Sequence, residues 1–437
     1  MARILVAAVP TPGHVIPMQV IAAHLRRAGH QITFLGGRKF AAELTADGHA
    51  FETLPPEVDY DYANPVFKAP ASSRLAGEAV AYNDLEQGSD AMLLVMEELF
   101  APSVGPMHAA IMEIVARQPV DLILADSMFT GVLGLLCDER PAPVVIIGVT
   151  PFALDTPDAY LFGPRLPPAL LPASLRGRSL RSAAEEAGLS RVHAAFASAV
   201  EKATGKTLPH TFHDQLIRGS DAFLQLSVPG FEFERVDAPA HVKLVGALPG
   251  RAAVPDAAPW PDQWQGREAQ PLVVVSQGTL ANHDLQQVLG PALAGLADLP
   301  VRVLATTGGR AADDLPTTPN GWVRPYAPFD QWLPRAAVLV TNGGYGGVHL
   351  ALRSGVPLIV AGDGEDKQEV GVRVAFAGCG IDLRTGRPSA ADVRSAVLRV
   401  LEIPRYAARA AELSEQCAAA NALHHIEETV RRLVDQP

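Results

Sequence analysis

The chain has 437 residues, 48% hydrophobic and 19% charged, with a formal net charge of −11 at pH 7. That length exceeds one ordinary core, so two domains are expected, and the negative balance argues against a nucleic-acid partner, which needs a basic face. The three cysteines, Cys137, Cys379 and Cys417, form no CxxC pair, so neither a zinc site nor a disulfide framework is suggested, and a reduced, cytoplasmic setting fits.

The first run, "RILVAAV" (3–9), reads as a buried strand. Pro10 and Pro12 stop it too soon for a signal-peptide core. No stretch approaches the ~18 apolar residues of a spanning helix, so no stable membrane insertion is expected. Met18, Ile21, Ala22 and Leu25 share one helical face, with Pro17 in the first turn and Gly29 at the end. "QITFLG" (31–36), "DLILAD" (121–126) and "PVVIIGV" (143–149) are further strands. Strands alternating with helices imply a parallel sheet covered on both faces. Residues 55–89 and 150–180, rich in Pro, Ala and isolated aromatics, read as loops or short helices beside a binding cleft.

The segment 249–271 is dense in Pro and polar residues and reads as a linker. After it the rhythm restarts: "LVVVSQG" (272–278), a helix near 284–297, "VRVLATTGG" (301–309), "AAVLVTNGG" (336–344) and "PLIVAGD" (357–363), with helical pattern from about 389 to 434. The expected architecture is two doubly wound Rossmann-like α/β domains facing a central cleft. The first covers 1–248, a linker 249–270, the second 271–405, and a C-terminal helix, 406–437, is expected to pack back on the first domain.

In "TNGGYGGVHLALRSG", Gly343, Gly344, Gly346 and Gly347 sit between a buried strand and an amphipathic helix. That is the carboxyl edge of an open α/β sheet, where ligands bind. Removing side chains lets backbone N–H groups reach an anion, and the helix N-terminus adds its positive end. A merely tight turn is the competing reading. A dinucleotide fingerprint is missing from the first turn, which reads "VPTPGHVIP", and there is no GxxxxGK[ST].

The glycine loop has companions in order: "PTPGHVIPM", "VVVSQGT", "VRPYAPFDQWLP" and "TNGGYGGVHLALRSGVPLIVAGDGEDKQE". Together they resemble glycosyltransferase family 1, the UDP-glycosyltransferase-like enzymes of GT-B fold, and most of all the bacterial members that glycosylate natural products. The resemblance spans nearly the whole chain. It implies a nucleotide-sugar donor as co-substrate, no cofactor, no metal, a small-molecule acceptor, and a monomer or homodimer.

Carried over by position, the resemblance makes His14 the general base for the acceptor hydroxyl and Asp126 its orienting partner. An ordinary imidazole is largely neutral at pH 7, which suits that role. A helix-capping or core role competes for His14, and an N-cap role near residue 129 competes for Asp126. Asp121, which starts that strand, is the weaker partner. On the donor side, Gly278 and Thr279 fall in the phosphate-proximal loop. Tyr326 is either the aromatic that stacks on the nucleobase or a core aromatic beside Trp322, and the backbone at Ala327 would pair with the base. Asn342, Gly343, Gly344, Gly346 and Gly347 hold the diphosphate, and Asp366 with Lys367 reaches the sugar. Phe67, Tyr82, Phe129 and Phe152, with Tyr160 and Phe162, suggest an apolar acceptor.

Four positions depart from the family pattern. Its loop-opening His is Asn342, its ribose-binding Glu falls on Leu350, its Gln after the acidic residue falls on Lys367, and the Gln of WxPQ falls on Phe329. The implied reaction is in-line displacement with inversion, with dTDP-deoxysugar favoured over UDP-glucose as donor. A GT-B sugar-nucleotide epimerase and a non-catalytic nucleotide-binding protein are the alternatives.

Overall fold

The computed structural model describes residues 1–59, 66–68, 79–81, 89–138, 140–154, 183–235, 238–250, 260–279 and 282–435. Tyr82, Tyr160, Phe162 and residues 251–259 of the expected linker lie outside them. The chain divides into two compact units, one of Met1–Leu226, Glu234–Val245 and Ala422–Pro437, the other of Ser227–Phe233 and Gly246–Asn421.

The strands of the first unit are β1 (Arg3–Ala7), β2 (Gln31–Gly36), β3 (Ala50–Thr53), the short antiparallel pair β4 (Val66–Lys68) and β5 (Ala79–Ala81), β6 (Leu122–Asp126), β7 (Val144–Gly148), β8 (Ala222–Gln225) and β9 (Val242–Leu244). Seven of them form one parallel sheet in the order β3-β2-β1-β6-β7-β8-β9. Every residue of β6 and β7 is buried, as a parallel sheet covered on both faces requires. The helices are α1 (Pro12–Arg27), α2 (Ala41–Ala46), α3 (Ser89–Val95), α4 (Ala101–Arg117), α5 (Val132–Leu136), α6 (Ala183–Thr204) and α7 (Phe212–Gly219). Helix α1 starts at Pro12, so Pro17 lies inside it and removes one internal hydrogen bond.

A π-helical turn, Met96–Phe100, joins α3 to α4. The resulting run Ala91–Arg117 is long and apolar enough to cross a membrane, contrary to the sequence expectation, and half of its most apolar window is buried. Glu97, Glu98 and Pro102 interrupt the apolar letters and hid its length. Here it packs against α5 and α6.

The second unit has β10 (Leu272–Ser276), α8 (Leu289–Leu296), β11 (Arg302–Thr306), β12 (Gly321–Arg324), α9 (Phe329–Trp332), β13 (Val338–Thr341), α10 (Tyr345–Arg353), β14 (Leu358–Val360), α11 (Lys367–Ala377), β15 (Gly380–Asp382), α12 (Ala390–Glu402) and α13 (Pro404–Ala420). Its parallel sheet runs β12-β11-β10-β13-β14-β15. The two-residue period of the strands sorts side chains between two cores. Val274, Leu304 and Leu339 face a layer with residues of α10, α11 and α13, while Val273, Val303 and Val340 face a layer with residues of α8 and α12. The chain's four tryptophans, Trp260, Trp264, Trp322 and Trp332, form one cluster with ring centroids 5.5–6.5 Å apart. Arg302, Arg324 and Arg335 lie over its rings.

Helix α13 ends at Asn421, whose φ of 48° is left-handed. The chain then returns to the first unit in α14 (Ala422–Val434), where Glu427 meets His24 of α1 at 2.8 Å. The return thus begins at residue 422 rather than 406, because Asn421 splits what the sequence pattern shows as one helical stretch.

Candidate active site

In each unit the sheet order reverses at one place, and the candidate residues stand there. In the first unit the reversal lies between β1 and β6, so the loops after these strands open side by side. His14 is the third residue of α1, directly after β1, and Asp126 is the last residue of β6. His14 Nδ1 lies 2.7 Å from Asp126 Oδ1, with the His14 side chain 17% exposed and Asp126 fully buried. Asp126 also accepts from the backbone N–H of Val9 at 2.8 Å and of Met128 at 2.7 Å. Orientation of a histidine and capping of the following turn, set as competing readings, coexist in one carboxylate. A carboxylate with two backbone donors is an acceptor, so Nδ1 carries the proton and Nε2 is left as the basic nitrogen. Nε2 has no partner among the described residues. Asp121 sits at the other end of β6 and pairs with Arg3 at 2.7 Å.

In the second unit the reversal lies between β10 and β13. Loop 277–279 follows β10, and loop 342–344 follows β13 and leads into α10. Asn342 is buried and ties the two together: its amide nitrogen donates to the Gln277 carbonyl at 2.6 Å, and its Oδ1 accepts from Gly344 N at 3.4 Å. The four glycines serve two ends. Gly343 needs its φ of 92°, and a Cβ there would stand 2.8 Å from Val360. A Cβ at Gly346 or Gly347 would meet nothing within 4 Å. Their missing side chains therefore leave clear space over the first turn of α10, whose leading N–H groups have no partner within the helix. Gly278 and Thr279 are exposed at the neighbouring loop.

The loop after β11 completes this edge, and the sequence reading overlooked it. Asn282 donates to the carbonyls of Gly278 and Thr307, both at 3.0 Å, and accepts from Arg310 Nε at 2.8 Å. A Cβ on Gly308 would come within 2.4 Å of the Gly278 carbonyl, so glycine is what lets the two loops touch. The visible signal was "TTGG" after a strand, a second Gly pair at the ligand edge. The hydroxyl of Tyr326 donates to the Gly308 carbonyl at 3.1 Å while the residue is 61% exposed. Tyr326 is therefore no core aromatic; Trp322, by contrast, belongs to the tryptophan cluster. Ala327 is half-buried against the core.

Other expectations need correction. Phe129 is fully buried, and Phe152 is buried with its ring 5.6 Å from Phe223. Both are core residues and offer no surface to an acceptor. Phe67 falls in β4, whose side chains lie outside the description. Lys367 is buried, and its ammonium pairs with the Glu365 carboxylate, which takes it out of reach of a ligand approaching from solvent. Asp366 is the N-cap residue of α11, after Glu365 at a left-handed φ of 52°.

The matched features are found in known proteins. Residues 291–434 match the C-terminal domain of erythromycin biosynthesis protein CIII-like proteins. The chain is 32% identical to UDP-glycosyltransferase 2 of Phaeomoniella chlamydospora over 99% of this chain and 95% of that one. It is 31% identical to 4'-demethylrebeccamycin synthase of Lentzea aerocolonigenes over 99% of this chain and 100% of the other. The chain belongs to glycosyltransferase family 1. A spinosyn rhamnosyltransferase solved with thymidine diphosphate has the same fold, with a TM-score of 0.65 at 20% identity, covering 98% of this chain and all of that one. The family 1 chain thus has the two-domain GT-B fold of the natural-product glycosyltransferases. It is a glycosyltransferase that uses a nucleotide-sugar donor and a small-molecule acceptor.

Proposed function

We propose that this glycosyltransferase moves a sugar, with inversion, onto a hydroxyl of a small apolar natural product, with His14 as the general base. The observation that carries this reading is the His14–Asp126 contact of 2.7 Å at the switch point of the first sheet. Nε2 takes the proton of the acceptor hydroxyl as its oxygen bonds to the anomeric carbon. The bond from that carbon to the diphosphate breaks, and the nucleoside diphosphate leaves with the electron pair. Asp126 holds the tautomer and balances the imidazolium that forms. Negative charge on the leaving group meets the N–H groups opening α10 and the Thr279 hydroxyl, donors fixed before the reaction starts. Stabilisation by such dipoles needs no metal, and excess chelator should leave the rate within about twofold.

For the donor, the reading favours a dTDP-activated deoxysugar, with UDP-glucose second. Leu350 cannot accept a hydrogen bond from a ribose hydroxyl, and it is partly buried against the core. The spinosyn rhamnosyltransferase bound to thymidine diphosphate agrees with this choice. Several relatives are named for UDP, which keeps UDP-glucose as the second donor. The test is a mass-spectrometric screen of nucleotide sugars with and without hydroxylated aromatic or polyketide acceptors. The expected product has the mass of acceptor plus sugar. Turnover to an altered nucleotide sugar without acceptor would replace this reading with an epimerase.

A further inference from the structure

The second unit holds a buried polar network that the reaction scheme leaves unused. Glu232 and Arg373 have side chains 1% exposed, and Arg373 Nε donates to Glu232 Oε2 at 2.7 Å. The other oxygen of Glu232 accepts from the Tyr345 hydroxyl at 2.9 Å. Arg373 also donates to the carbonyl and carboxylate of Glu369, at 3.0 and 2.9 Å. Burial by itself raises a carboxyl group, yet the charge and hydrogen bond of Arg373 hold Glu232 below the usual range. Burial likewise opposes the guanidinium, and Glu232 and Glu369 more than offset it. The pair is therefore ionised.

One turn further along α10, His349 is buried. Its Nδ1 lies 3.0 Å from the Tyr345 carbonyl and its Nε2 2.9 Å from the Ser227 hydroxyl. The carbonyl can only accept, so Nδ1 carries the proton and Nε2 accepts from Ser227. Burial pushes the imidazole down to about 4, so it stays neutral.

Position gives the network its meaning. Tyr345 is the first residue of α10, next to Gly344, and its own N–H is one of those opening the helix. Arg373 lies on α11, whose N-cap is Asp366. Ser227 and Glu232 lie on 227–233, a short segment of the second unit remote in sequence from both helices. One segment thus fastens the two helices whose starts carry the donor loops. Replacing a buried ion pair by apolar groups is often neutral or stabilising, so this pair is poorly explained by stability. Its hydrogen bonds are directional, and they end at the turn that faces the diphosphate.

We propose that Tyr345, backed by Glu232 and Arg373, is a positioning residue that sets the first turn of α10 for the diphosphate. The Tyr345 hydroxyl points to Glu232 and acts through the backbone it anchors. The inference rests on the reading of that turn as the diphosphate site.

The test compares wild type, Tyr345→Phe and Ser227→Ala by calorimetry with dTDP and UDP, and by competition with thymidine and uridine. Tyr345→Phe keeps the ring packing and removes one hydrogen bond. It should weaken diphosphate binding by about tenfold, the loss of roughly one good hydrogen bond, with nucleoside binding unchanged. In turnover, kcat should fall while the acceptor KM holds. Ser227→Ala should shift the same ratio less far, and it carries the test alone if Tyr345→Phe does not fold. Equal losses for diphosphate and nucleoside, or no loss in either variant, overturn the proposal. A wild type that binds neither diphosphate overturns the underlying reading of the turn, and this proposal with it.

Discussion

His14 and Asp126 stand 112 residues apart in sequence, and a 2.7 Å contact joins the imidazole of one to the carboxylate of the other. Among the described residues of the first unit, no other pair combines a half-buried imidazole with a fully buried carboxylate at the sheet's ligand edge. His14→Ala should therefore lower kcat by about 10²–10⁴-fold, the usual contribution of a positioned base, with nucleoside diphosphate affinity unchanged. Asp126→Asn should cost less in rate. It should also lower the melting temperature, because its amide group faces the N–H of Val9 or of Met128. The assay needs an unactivated alcohol acceptor, since an acidic phenol has little need of a base. Undiminished turnover by His14→Ala with such an acceptor removes the assignment.

The glycines after β13 can be separated by one comparison. Gly343→Ala places a side chain at a φ of 92° and 2.8 Å from Val360, and it should cost about 1–3 kcal/mol of stability. Gly347→Ala meets open space and sits inside a helix, so it should be neutral or slightly stabilising. It should nonetheless raise the donor KM by crowding the approach to the first turn. Thermal melts and donor titrations of the two variants read both effects. A Gly347→Ala enzyme with an unchanged donor KM would show that the space there is unused.

Much of this edge was legible because parallel sheets announce themselves. β2 was bounded to the residue, since "QITFLG" is an apolar run between a Gly-terminated helix and another Gly. The start of β1 at Arg3 and the end of β6 at Asp126 followed from the same pattern, although β1 ends at Ala7, two residues before the expected 9, and the family resemblance singled out His14 and Asp126. What escaped were elements without such punctuation. β9 and β15 have three residues each, too few for a period. The network of Asn282 and Gly308 escaped because it joins loops that only the sheet order brings together. Phe129 and Phe152 misled because an aromatic letter in a loop-like stretch does not reveal whether it is covered.

Donor choice turns on Leu350. In competition calorimetry on the apo protein, dTDP should bind at least as tightly as UDP. Leu350→Glu should move the preference towards UDP, by the ~1–3 kcal/mol that an unpaired carboxylate costs with the deoxy ligand. UDP binding ten-fold more tightly to the wild type would end the argument from Leu350.

A pH effect is built into the first unit. His213 is half-buried, with its ring against Phe212 and its buried Nδ1 lacking a hydrogen bond, and burial pushes its pKa down to about 3. The unfolded chain binds this proton below about 6.5 and the folded chain does not. Stability should therefore fall as pH drops from 6.5 towards 3, and be fully present above 6.5. Between pH 7 and 5, His213→Phe should lose about 1–2 kcal/mol less than the wild type. Parallel melts by circular dichroism at the two pH values check this, and equal losses in both proteins count against it.

The tryptophan cluster gives the second unit an optical signature of its own. All four indoles of the chain lie in that unit, so ultraviolet-excited indole emission reports on one half of the protein and is blind to the other. Trp322 is the second residue of β12, the strand that leads to Tyr326. A ligand seated on Tyr326 should perturb the glow of a label-free reporter, while one confined to His14 and Asp126 should leave it dark to change. The same asymmetry separates the melting of the halves: emission follows the second unit alone, and circular dichroism follows both.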